Sequence, residues 1–147
     1  MNLRTAIITL LVLCAASGSA AARDTRHLLS LGDALNAPEA KEKLDTRVVF
    51  YFGTRKHPSV AQRLGEYTAN RKTNAFNKSD KEACEWVFLS ALLALRDRAV
   101  EEGGDAVINI KSFYKKNEFI SDTQYECHAG TFVAGVALRG TVVKLAR

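Results

Sequence analysis

Apolar and polar positions fall in blocks along this chain, and the period changes from block to block. Ala6 to Ala16 is apolar throughout, with Arg4 before it and Ser17-Gly18-Ser19 after it. Asp33, Ala34, Leu35, Ala40 and Leu44 have helix-compatible spacing, and Pro38 is tolerated only in a first turn or at a break. The pattern predicts a short helix from about Pro38 to Leu44, with Asn36 as a candidate cap. Arg47-Val-Val-Phe-Tyr-Phe52 reads as a strand stopped by Gly53. Both of its faces are apolar, which predicts a strand inside a sheet covered on two sides. Thr54 to Pro58 reads as a loop, Ser59 to about Asn70 as an irregular or edge strand, and Lys72 to Lys78 as a polar loop.

The clearest element follows. Ser79-Asp80-Lys81-Glu82 has the form of a capping box, in which the Ser79 hydroxyl accepts from the Glu82 amide. A long helix runs from there through Trp86, Val87 and Leu93 to about Glu102, and Gly103-Gly104 ends it. Its middle, Trp86 to Leu95, is apolar nearly all round, which predicts cover on two sides. Asp105 to Tyr114 reads as a strand with Ala106, Ile108 and Ile110 on one face. Lys115 to Glu118 makes a polar turn, and strand-like runs at Thr123–Leu138 and Thr141–Leu145 form a closing hairpin. The expected fold is α+β: a mostly antiparallel sheet of about four strands packed on one long helix, with a short N-terminal helix.

Composition bounds the class. The chain has 147 residues, 47% of them hydrophobic and 25% charged, which suits one ordinary folded domain. The opening block has the parts of a secretory signal: positive start, apolar run shorter than a bilayer span, then small residues Ala20-Ala21-Ala22. The expected organisation is a signal peptide over 1–22, cleaved between Ala22 and Arg23, and one domain over 23–147. Leu13 stands before Cys14 where a lipoprotein signal has a small residue, so a soluble periplasmic or secreted chain without a membrane span is expected. The net charge of +5 is spread over separated pairs such as Arg55-Lys56 and Arg71-Lys72, without the dense basic arm of a nucleic-acid binder.

Export bears on the cysteines. Loss of Cys14 leaves Cys84 and Cys127, and an oxidising compartment favours their pairing. The element order adds a second argument. Cys84 lies in the first turn of the long helix, and Cys127 lies early in a strand returning to that end of the domain. A bridge between them would contribute ~4 kcal/mol in the chain-entropy model. The alternative chemistry is a metal site at His128, with His57 or His27 as further ligands. Zinc takes four ligands, and paired cysteines would leave only scattered histidines for it. No catalytic spacing and no cofactor motif occurs, so enzymatic activity is not expected.

Lys72-Thr-Asn74, Lys78-Ser-Asp80, Cys84-Glu-Trp86, Tyr114-Lys-Lys-Asn-Glu118 and Tyr125-Glu-Cys-His-Ala-Gly130 resemble a group of small exported proteobacterial proteins often labelled as excinuclease ABC-like. From Ser79 onward the helix, the Gly-x-Ala-Val strand and the Cys-containing strand resemble two larger families. These are the dodecin-like heavy-metal-binding family and the signalling domain of the Rcs envelope-stress lipoprotein. The excinuclease label has no chemical support, because the Gly-rich phosphate loop and the paired Cys-x-x-Cys units it requires do not occur. The Rcs resemblance implies a non-catalytic periplasmic interaction or sensing module, partnered by an envelope protein or by itself. The dodecin-like resemblance implies the alternative, a periplasmic metal-binding or metal-stress protein, and homo-oligomerisation.

Overall fold

The structure, a computed structural model, describes residues 22–147, so the expected leader and Cys14 lie outside the described residues except for Ala22. In chain order the elements are β1 (Thr25–Ser30), α1 (Leu31–Asn36), α2 (Pro38–Lys43), β2 (Val49–Phe52), β3 (Val60–Asn74), α3 (Asp80–Glu101), β4 (Ala106–Tyr114), β5 (Asn117–Phe119), β6 (Gln124–Ala129) and β7 (Val133–Leu145). The α+β class holds. The sheet is larger than expected and mixed: it has seven strands, and β2 runs parallel to β4 while every other pairing is antiparallel.

β7 is the centre of the sheet. β3 follows it along one side from Val60↔Leu145 to Asn74↔Val133. The other side is shared, with β6 pairing at Gly135 and Ala134 and β4 pairing from Leu138 to Val143. β1 then flanks β6, while β2 and β5 flank successive parts of β4. β2 is therefore at an edge, with Val49 45% exposed, and not inside the sheet. Its apolar character reflects packing of Phe52 and Phe50 on the core side and of Tyr51 on the other. The region expected to be an irregular strand and then a loop is one 15-residue strand that includes Lys72–Asn74. Its polar residues signal solvent, and an edge strand tolerates them without losing its ladder to β7.

Two local corrections follow from backbone geometry. Asn109 has φ 52, and the β4–β7 register shifts between Ile108 and Lys111. That bulge resets the two-residue alternation. Ile110 consequently joins Val107 in the main core, while Ala106 and Ile108 pack with Val143 in a smaller cluster. At the other end of the domain, Asn36 ends α1 and does not cap α2. Its side-chain Nδ2 donates back to Gly32 O at 2.8 Å, and α2 starts instead on Pro38 at its first turn. The segment before α1, Thr25–Ser30, alternates between half-buried and exposed positions and is a strand that the hydrophobic pattern does not mark.

α3 lies on one face of the sheet. Ser79 Oγ accepts from the Glu82 amide at 3.1 Å, as the capping pattern requires. Gly103, at φ +77, ends the helix. Val87, Phe88, Ala91, Leu92 and Leu95 are buried in the main core, each large side chain worth roughly 1.5–3 kcal/mol of burial. Leu31, Ala34 and Ala40 of α1 and α2 are also buried, and the two short helices supply the second cover for α3. Trp86 stays 40% exposed at the rim of that contact. Among the described residues no helix is long and apolar enough to cross a membrane.

Candidate functional site

The alternation of β6 sorts its residues by face. Tyr125, Cys127 and Ala129 enter the core beneath α3, whereas Glu126 and His128 turn to the opposite face. Cys127 stands at disulfide distance from Cys84, with Sγ–Sγ 2.06 Å and Cα–Cα 5.9 Å, and joins the first turn of α3 to β6. Both cysteines are fully buried.

Glu126, 5% exposed, is the hub of the polar cluster on the other face. Its Oε2 accepts from Arg26 Nε at 3.1 Å and Nη2 at 2.9 Å, and its Oε1 lies 2.7 Å from His128 Nε2. Its backbone amide donates to Ser112 Oγ at 2.9 Å. The other imidazole nitrogen, Nδ1, is 3.3 Å from Asp24 Oδ1. β4 leaves β7 after Ser112, and its last residue, Tyr114, stacks on the His128 ring at 3.7 Å between centroids and 9° between planes. Burial first, then the nearby Asp24 and Glu126 carboxylates, raise the Tyr114 phenol above its ordinary 10.0, so it is a protonated donor at neutral pH.

These groups floor a cleft of about 390 Å3, closed by Arg23, Lys72, Phe132 and Val133. The turn Gly130–Phe132 forms one lip. Its backbone is fixed by Gly130 N donating to Val133 O and Ala75 N donating to Phe132 O. Fixing the backbone leaves the Phe132 side chain 64% exposed, stacked on Phe76, itself 52% exposed, at 5.6 Å. Neighbouring Val133 is 50% exposed. The other lip is the chain entering β1. Arg23 donates to both Asp80 carboxylate oxygens at 2.9 and 3.0 Å and to Gly130 O at 2.8 Å, while His27 Nε2 lies 2.8 Å from Asp80 Oδ2. Arg23, with His27 behind it, holds the Asp80 carboxyl at about 2.

The sequence-derived candidates are thus distributed as follows. Cys84 and Cys127 are together. His128 lies in the cleft wall, and Ala22 and Arg23 lie at its mouth. His57 is elsewhere: its Nδ1 is bonded to Pro58 O and its ring meets Tyr51 edge-on. The pairing partners on β7 show the separation, because His128 registers with Gly135 and Val60, just after His57, registers with Leu145. Ten strand residues intervene, roughly 30 Å. Among the described residues no group of three or more His, Cys, Asp or Glu side chains is arranged to hold a metal ion. Phe76, Phe132 and the Tyr114–His128 stack are not singled out as a site by the sequence. The available signal is an aromatic residue inside each of two polar turns, Asn74–Lys78 and Gly130–Thr131.

Comparison of the chain with protein-family models, with curated proteins and with solved structures returns no match.

Proposed function

We propose that this chain is an exported, non-catalytic binding module whose ligand site is the Tyr114–His128 cleft and its aromatic lip. One observation carries the reading: Phe132, Phe76 and Val133 are each at least half exposed and lie together beside a cleft whose polar groups already bond one another. Contiguous exposed apolar residues rimmed by polar ones mark interaction sites. The ligand that suits this surface is an extended peptide segment of an envelope protein, with an aromatic or aliphatic side chain for the Phe lip and a carboxylate for Lys72. Export is supported by the apolar run Ala6–Ala16, by Ala20–Ala22, and by a cysteine pair at bonding distance, which suits an oxidising compartment. The dispersed histidines leave the metal-binding alternative without a site among the described residues.

Selection of a displayed random-peptide library on the purified chain tests the reading. The expected peptides combine an apolar residue with Asp or Glu, and their binding falls about tenfold or more with Phe132→Ala, as for loss of an interface anchor. Peptides whose binding is indifferent to Phe132→Ala would overturn it. The mass of the chain recovered from a periplasmic extract tests export separately, a start at Arg23 being expected.

A further inference from the structure

β3 is the longest edge of the sheet, at 15 residues against six for β1, four for β2 and three for β5. The register and one hydrogen bond fix how it faces. Ala75 N donates to Phe132 O, which continues the β3–β7 ladder by one pair beyond Asn74↔Val133. Odd-numbered residues from 67 to 75 therefore turn their N–H and C=O to β7, and Glu66, Thr68, Asn70, Lys72 and Asn74 turn theirs outward. All five are exposed. Among the described residues their amide N–H groups have no acceptor, and only two of their carbonyls are occupied, by the flexible side chains of Arg71 on Asn70 O and Lys78 on Asn74 O. The stretch is regular, since the register shifts in β3 lie before it, ending at Gly65.

We propose that this edge is a self-association surface, on which Glu66–Asn74 pairs antiparallel with the same segment of a second copy, Ala69 facing Ala69 across a twofold axis. The inference stands apart from the ligand cleft. Outward-facing residues must pair with outward-facing residues, and this register does so, setting Thr68 against Asn70 and Glu66 against Lys72 of the other copy. Such pairs exchange both N–H···O bonds. The charges select the partner. Glu66 meets a lysine and Lys72 a glutamate, twice by symmetry, on the face of the sheet away from α3, at a Cβ spacing of ~4.5–5.5 Å. Glu66 is engaged by Arg139 through Oε1 alone, at 2.7 Å from Nε, and Oε2 remains for the lysine. Ala69 is small at the axis. A strand unrelated to this one has no reason to carry that pattern, whereas a second copy carries it by identity.

Sedimentation velocity of the purified chain with its cysteine pair intact, up to millimolar concentration, is the test. A concentration-dependent dimer is expected. Asn70→Pro removes an outward donor and leaves the β7 ladder alone, since that N–H does not face β7. It should weaken the dimer about tenfold or more with the circular dichroism spectrum unchanged. Lys72→Glu should weaken it as well, and the exchange E66K/K72E should restore it, because the opposition of signs is regained. A monomer throughout overturns the proposal, and so does a dimer indifferent to Asn70→Pro. A double exchange that stays as weak as K72E overturns the register.

Discussion

Asn109 carries a positive φ in the middle of a buried strand, and the bulge it makes decides which of its neighbours enter the core. Asparagine tolerates that conformation and β-branched residues do not. Asn109→Val is expected to lower stability by about 1–2 kcal/mol and Asn109→Gly to change it by under ~1 kcal/mol, read from denaturant midpoints. Asp80 makes a pH-dependent contribution. Its folded value of about 2 lies below the ordinary 3.8, so the folded state favours the carboxylate. The stabilisation is fully present above the unfolded value and is lost as pH falls from 3.8 toward 2. The stability gap between wild type and Asp80→Asn should therefore be constant above about pH 5 and close on acidification through that window. A gap that persists at pH 2 would assign the effect to something other than the ion pair with Arg23.

Among the elements, α3 is legible in the sequence because its signals are local and agree: a serine cap, an apolar middle and a glycine stop. β4 is legible as a strand but not in its faces, because a bulge depends on a single backbone angle that alternation does not encode. The two ends of the sheet mislead for a shared reason. β2 is apolar on both faces yet lies at an edge, and β3 is polar along much of its length yet extends for fifteen residues. Strand polarity reports burial of side chains, whereas membership of a sheet is decided by backbone partners distant in sequence. Of the site, the cysteine pair is readable from topology. The stack of Tyr114 on His128 is not, because it joins elements that the pattern could not bring together. The crossing of β4 over β7 yields one prediction of its own. A Cβ on Gly140 would stand 2.6 Å from Val107 Cγ1 and 3.1 Å from Ile110 Cγ1. Gly140→Ala should cost about 1–3 kcal/mol by overpacking, seen as a lower thermal midpoint.

For the molecule as a whole, the Cys84–Cys127 pair links the start of α3 to β6 across 43 residues of chain. Replacing both by serine, or reducing them, is expected to remove up to ~4 kcal/mol, a large share of the stability of a domain this size. Thiol counting on the unreduced, unfolded chain checks the bond itself, and two reactive thiols would exclude it. The central place of β7 has a consequence in time. β3, β4 and β6 all take their backbone partners from it, and it follows each of them in the chain. Until residues 133–145 have been synthesised, the earlier strands have no template to close on. Pairings of such long sequence separation are slow to form. A partly made chain therefore remains open, and the sheet assembles in one late step after its last strand is available.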